Sequence, residues 1–385
     1  MKLNFLINSV LRSNPSFELI ESGRLNRLEQ DALAGLLDNP DIFGVFRQKK
    51  INKISSTKLA YKEVALLFYS LQKPGELPLY FKTEYNDTVN TTLAKLILEG
   101  VFEISFNGEF LSGTAAASVI YKSQSVHKNK ELSFLSRLSM DALNYAAYFN
   151  NANTGEIASR LYCYNTVPGS LFEGNAFSSV NKTREFLKIG KQDTLSHQLA
   201  GNWEMTETSG NYSWLAWQRR KEIALKPANK KIYKLYISPA PSALPVVFER
   251  SIPILAASGS FSFKIGIGTH GLLRPDKFVA YFHSYDDLIN CSFSLMDQLD
   301  EFQPQGVPFT AQLDNKGILS WGIDPANEDI LKDYEGGSWR AQITEKIALV
   351  IAEAKSQNLT RNKVIEYALN KISLDGIDTV TWSIQ

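Results

Sequence analysis

Cysteine occurs only twice in 385 residues, at Cys163 and Cys291, and histidine only four times, at His127, His197, His270 and His283. Two isolated thiols exclude a disulfide framework and a thiolate metal site, and both are read as reduced and buried. The histidines show no HExxH pattern and no i, i+4 pairing, and CxxC is absent, so metal catalysis has no ligand set. Neither a GxSxG elbow nor a Walker loop is present. The net charge is only +1. No bulk field therefore favours nucleic acid or a membrane surface, and any cationic site must be local. No stretch approaches the roughly 20 apolar residues of a membrane span. The opening MKLNFLINSVLRSNP is interrupted by Asn4 and Asn8, and no small-residue cleavage site follows it. The expectation is a soluble cytoplasmic protein with neither nucleic acid nor membrane as a partner. Internal repeats and low-complexity tracts are also lacking.

What is present is a core. The apolar fraction is 44%, with 22 Phe and 16 Tyr, which excludes disorder for most of the chain. The length allows two or three compact domains, or one with a large elaboration. Residues 1–75 read as helical, with Asn14-Pro15 breaking an opening helix and Leu25, Leu28, Leu33, Leu36 and Leu37 at helical spacing. TTLAKLILEG reads as a helix stopped by Gly100. The runs on either side of Asn107-Gly108 carry the strongest hairpin signal in the chain. Ser123–Lys130 reads as a loop, a helix is expected from Ser139 to Tyr148, and SRLYCYN at 159–165 reads as a strand. Trp203, Trp214 and Trp217 read as core packing against a strand pair. Ser284 and Asp287 resemble a capping box ahead of a helix through Leu299. Residues 302–340 are loop-rich with short strands, and helices are expected at Ala341–Ala354 and Thr360–Lys371. Together these elements read as α+β: a twisted, mainly antiparallel sheet with flanking helices, plus a helical N-terminal region.

The richest stretch is 230–284, which reads as three strands. Alternation places Lys234 and Tyr236 opposite Tyr233, Leu235 and Ile237. It places Lys264 opposite Phe261, Phe263, Ile265 and Ile267, and Lys277 and Tyr281 opposite Phe278, Ala280 and Phe282. Lysine is depleted in strand interiors. A solvated sheet face accounts for any one of these lysines. Three such strands in succession, with Arg274 between them, fit an anion-binding face equally well. Gly266, Gly268 and Gly271 match GxGxxG, but the expected course into another strand argues against a dinucleotide loop. With Arg340 added, the set is cations and a phenol with no evident carboxylate partner. A lysine among cations loses its proton more readily and can serve as a base, while arginine grips phosphate. Base, phosphate clamp and phenol are the equipment for β-elimination of phosphate.

At these residues the chain resembles a known family. The order K-L-Y-I-S-P, F-K-I-G, G-L-L-R-P-D-K-F-V-A-Y-F, G-V-P-F-T-A, S-W-G-x-D-P and S-W-R is similar to HopA-type effector-like lyases of peptide natural-product pathways. These are the lyase components of class V lanthipeptide and thioamitide biosynthesis, distant relatives of effector phosphothreonine lyases. The resemblance spans residues 130–350, and the hairpin at 101–113 also fits. It implies a catalytic domain at 126–385 and a partner- or leader-docking region at 1–125. It implies elimination of phosphate from phosphoserine or phosphothreonine of a precursor peptide, a separate peptide kinase as partner, and no cofactor. By position, Lys264 matches the base and Lys234 the substrate-orienting lysine. Arg274 and Arg340 match phosphate arginines. Tyr236 stands where the family has its acid histidine, a departure that also admits a non-catalytic phosphopeptide-binding subunit or His270 or His283 as the acid. Lys277 and Arg160 are further candidate phosphate contacts.

Overall fold

The computed structural model describes residues 4–49, 57–83, 86–121, 132–149, 153–168, 179–190, 193–206, 214–220, 231–324 and 338–384. The loop expected at Ser123–Lys130 lies outside them. The fold is α+β, with antiparallel sheets flanked by helices.

The first 75 residues contain more strand than expected. Strands β1 (Leu11–Ser13), β2 (Phe17–Glu21), β3 (Ile42–Gln48) and β4 (Lys58–Tyr61) all fall there. The runs FELIE and IFGVFRQ are short and rich in aromatic and β-branched residues, which suits a pleated, half-buried surface better than a helix. The leucine-rich segment does form a helix, Arg27–Leu37. It is opened by a capping box in which Asn26 and Glu29 satisfy each other's backbone N–H groups. The helix Asp87–Leu98 ends before Gly100, whose φ of +85° suits a residue without Cβ. β5 (Phe102–Phe106) and β6 (Glu109–Leu111) then pair across Asn107 and Gly108, at φ 50° and 85°, as the hairpin signal required.

The large sheet has seven antiparallel strands. β7 (Trp203–Thr206), β8 (Trp214–Arg219), β9 (Tyr233–Ile237), β10 (Ser262–Gly266), β11 (Phe278–Phe282), β12 (Ala311–Gln312) and β13 (Leu319–Ile323) lie in the order β12-β13-β9-β11-β10-β8-β7. One face of this sheet is apolar. Leu215, Trp217, Leu235, Ile237, Phe263, Ile265, Phe278, Ala280 and Phe282 are buried there in one cluster with residues of the helices Leu244–Ala257 and Tyr285–Leu299. Trp217 stacks on Phe263 with centroids 5.0 Å apart, and Trp203 meets the same ring edge-on at 4.9 Å. These two tryptophans are core, as expected. Trp214 is not: it has the opposite parity on β8, is half-buried, and meets Lys264 instead. A strand has a period of two, so burying one face sends every intervening side chain to the other.

That other face looks towards a second core. This core joins the N-terminal elements to the helices Phe134–Ala147, Thr154–Tyr162, Trp339–Ser356 and Arg361–Ser373. Two local expectations are corrected here. The helix expected from Ser139 begins instead at Phe134, capped by Ser133, and Ser139 is buried within it, donating to the Leu135 carbonyl. The run 159–165 is not a strand. Its first half closes the helix Thr154–Tyr162, which is opened by a capping box of Asn153 and Glu156. A short pair, β14 (Ile377–Asp378) and β15 (Ser383–Ile384), ends the described chain. Cys291 is buried as expected, but Cys163, just beyond the 154–162 helix, is exposed; both are free. Among the described residues no helix is long and apolar enough to cross a membrane.

Candidate active site

Strand register brings the sequence candidates together. On β9, Tyr236 sits opposite Val279 of β11, and Lys234 sits opposite Tyr281. On β10, Lys264 is paired with Val279 on one side and with Ala216 of β8 on the other. Lys234, Tyr236, Lys264 and Tyr281 therefore share the face away from the apolar helices. Lys234 Nζ is 5.5 Å from the Tyr281 ring centroid and Lys264 Nζ is 5.8 Å from it, so one phenol ring serves both lysines. Lys264 Nζ also lies 4.3 Å from the Trp214 ring, and the Arg274 guanidinium lies 5.2 Å from that ring. Aromatic faces hold the cations close without neutralising them.

Two carboxylates complete the cluster, where none was expected. Asp276 is buried, and Arg274 grips it bidentately through Nε and Nη2, both at 2.9 Å. Arg340 Nη1 lies 2.9 Å from the same carboxylate, and Tyr162 donates its hydroxyl to it at 3.1 Å. Asp324 directly follows β13 and pairs with Lys234 at 2.7 Å. Its other oxygen accepts the Trp339 backbone N–H at 3.0 Å, at the start of the 339–356 helix where negative charge is favoured. The approach of Trp339 is tight: a Cβ on Gly322 would come within 2.5 Å of its ring. Glycine at 322 thus permits the helix N-terminus to reach Asp324.

Lys264 is half-buried, and its ammonium pKa is lowered to about 8. Burial is the main cause, Lys234 and Arg274 push the same way, and Asp276 and Asp324 partly oppose them. Burial pushes the Asp276 carboxyl up, but Arg340, Arg274 and the Tyr162 hydroxyl overcome it and leave the pKa at about 2. Burial likewise opposes the charge on Arg274, and Asp276 more than restores it. Tyr236 is fully buried, and its phenol is held well above the ordinary tyrosine range by burial and by the nearby Asp324 charge.

The other candidates lie behind this cluster or apart from it. Arg340 is completely buried, its Nη2 donating to the Tyr162 carbonyl at 2.6 Å, so it stands behind Asp276. Lys277 is also completely buried, and its Nζ donates to the Pro239 carbonyl and to the Gln305 side chain. Arg160 lies on the exposed side of its helix, stacked over Phe149 at 4.6 Å. His283 stacks on Phe261 at 4.0 Å, and His270 is exposed on the five-residue helix Gly268–Leu272. That helix is the course of the GxGxxG match. It does follow a strand, but it is too short for a dinucleotide fold and leads into antiparallel β11.

Burial, only partly opposed by Asp276, lowers the Lys277 pKa to about 7, against about 10.4 for an unfolded lysine. Between these values the unfolded chain binds one more proton, so stability rises with pH through this window and the contribution is lost as pH falls towards 7. Urea unfolding of wild type and Lys277→Met at pH 7.5 and 9.5 should show it. The wild type is expected to gain about 1.4 kcal/mol per pH unit more than the variant. Equal slopes would place an ordinary, solvated ammonium at 277.

Comparison with known proteins gives only distant likenesses. No family model matches the chain, and no curated protein does. An effector protein from Pseudomonas syringae pv. tomato strain DC3000 is 14% identical, with 65% of this chain and 98% of the effector covered, at a TM-score of 0.35. An effector from Pseudomonas syringae pv. syringae strain 61 is 11% identical over the same shares, at 0.36. A type III effector phosphothreonine lyase from Shigella flexneri is 14% identical, with 39% of this chain and 90% of the lyase covered, at 0.26. The neighbours are thus effectors and phosphothreonine lyases, and at these scores the likeness carries no argument about chemistry.

Proposed function

We propose that the protein is a phosphate-eliminating lyase acting on phosphoserine or phosphothreonine of a ribosomal precursor peptide, giving dehydroalanine or dehydrobutyrine. The observation that carries this reading is Lys264. It is a half-buried lysine with a pKa of about 8, on one sheet face with Lys234 and beside Arg274. At pH 7 about a tenth of it is neutral, against roughly one in 2,500 for an ordinary lysine.

In this reading Lys264 takes the Cα proton. The freed electron pair forms the Cα=Cβ bond, and the Cβ–O bond breaks with its pair leaving on phosphate. Lys234 steadies the charge that develops on the neighbouring carbonyl. Arg274 meets the phosphate with the N–H groups that Asp276 leaves free, while Arg340 acts through Asp276 from the interior. Tyr236 keeps its proton across the neutral range and gives it to the bridging oxygen as the bond breaks. The proton held on Lys264 then restores the phenol, so charge and atoms balance. Lys277 and Arg160 have no part in these steps. A separate peptide kinase installs the phosphate, and residues 1–125 are its docking region or that of the leader peptide.

The test is incubation of the full chain with a synthetic phosphothreonine peptide, following free phosphate and trapping the alkene with a thiol. Phosphate and thiol adduct are expected in equal amounts. Saturable binding with neither product would instead establish a phosphopeptide-binding subunit. The deep burial of Tyr236 and the existing Lys234–Asp324 pair are the observations that favour that second reading.

A further inference from the structure

Behind Tyr162 lies a groove that the proposed chemistry does not use. It runs between the helices Thr154–Tyr162 and Trp339–Ser356, has a volume of about 390 Å³, and is lined by Ala158, Ser159, Tyr162, Ala341, Glu345 and Leu349 among others. The sequence explains why it is open. Small residues face each other across the crossing, where large ones would have filled the space. At one end is the ring of Tyr162, whose other contacts are Arg274 at 5.1 Å, Arg340 at 4.7 Å and Asp276. The groove therefore abuts the cationic cluster.

Two features specify an occupant. Leu349 is 58% exposed on the groove wall, which offers apolar surface to a long side chain. Glu345 is half-buried, and among the described residues no cation or hydrogen-bond donor pairs with its carboxylate. Its helix neighbour Lys346 is engaged with Asp375 at 3.1 Å, and Arg160 on the facing helix is turned onto Phe149. Partial burial raises the Glu345 pKa, as expected for a carboxylate that has lost water and found no partner. An apolar wall with a lone carboxylate suits a side chain with an aliphatic stem and a cationic head.

We propose that this groove is a specificity subsite for an arginine or lysine of the substrate peptide. The proposal rests on the lyase reading for the position of the phosphoresidue. Along the helix, the five steps from Arg340 to Glu345 rise about 7.5 Å. An extended peptide advances about 3.3 Å per residue. That rise equals a little over two residues of extended peptide, and because Arg340 reaches the phosphate site only through Asp276, positions two to four from the phosphorylated residue are the ones to scan.

The experiment measures affinity and turnover separately. Nine-residue phosphothreonine peptides, otherwise alanine, carry one arginine moved from two to four positions on either side of the phosphoresidue. Their binding to the full chain is followed by fluorescence anisotropy at low salt, against an all-alanine peptide and one with glutamate in place of arginine. One arginine position is expected to bind about tenfold more tightly than alanine. Glu345→Gln should erase that preference while leaving the alanine peptide's affinity unchanged. Glu345→Lys should transfer the preference to the glutamate peptide, a reversal that loss of folding could not produce. An arginine preference equal in wild type and Glu345→Gln, or none at any position, overturns the subsite. Because affinity is read without turnover, an arginine preference with no elimination would uphold the groove and defeat the lyase reading. Elimination without the preference would do the opposite.

Discussion

Replacing Lys264 by alanine is expected to lower the elimination rate by about 10²- to 10⁴-fold, the range for losing a positioned general base. Lys264→Arg should be equally inactive, because a guanidinium does not give up its proton in a protein. This pairing separates the role of a base from that of a positive charge. If the lysine only attracted phosphate, arginine would rescue it. Binding of phosphopeptide should survive both changes, since Arg274 and Lys234 remain. The pH dependence has a definite sign. Only neutral Lys264 can accept the Cα proton, and its pKa is about 8. Above the phosphate's own ionisation near pH 6, kcat/KM should therefore rise about tenfold per pH unit and level off above pH 8. Lys234→Met removes one of the charges that lowers this pKa. The plateau should then begin at higher pH, a shift that simple loss of substrate binding would not cause.

The second large effect is on stability. Asp276→Asn is expected to destabilise the fold by about 3–5 kcal/mol, the cost of leaving buried charge uncompensated. Asp276 is the shared counter-ion of Arg274 and Arg340, and Arg340 is fully buried. Asparagine keeps the shape but leaves two guanidiniums facing one another without an anion. The same carboxylate fixes the acid limit. Its folded pKa of about 2 lies below the value of about 3.9 in an unfolded chain. Its stabilisation is complete above pH 4 and fades as pH falls towards 2. The urea midpoint at pH 7, followed across an acid series, measures both effects. A variant within 1 kcal/mol of wild type would show that the two arginines do not depend on Asp276.

The cationic face is legible in the sequence because strands have a period of two. Leu235 and Phe263 belong to the apolar row, and that parity alone turns Lys234 and Lys264 to the other side. The partners of these cations are not legible. Lys234 meets Asp324, which follows β13, and Arg340 meets Asp276 from across the fold. No local spacing records either pairing. One partner does leave a trace: Arg274 and Asp276 stand two residues apart across Pro275, in the turn that leads into β11, and their side chains meet there. Tyr162 is hidden because SRLYCYN alternates like a strand. The capping box of Asn153 and Glu156 upstream is the signal for a helix. The strands β2 and β3 are masked because the leucine spacing of the helix between them dominates the pattern of the first 75 residues.

The mass of the peptide product tests the central claim most directly. After incubation of the full chain with a phosphothreonine peptide, loss of one whole phosphoric acid, absent with Lys264→Ala, is the result expected of a lyase. A product heavier than this by one water, which is threonine left by hydrolysis, or a peptide unchanged in mass, would contradict it.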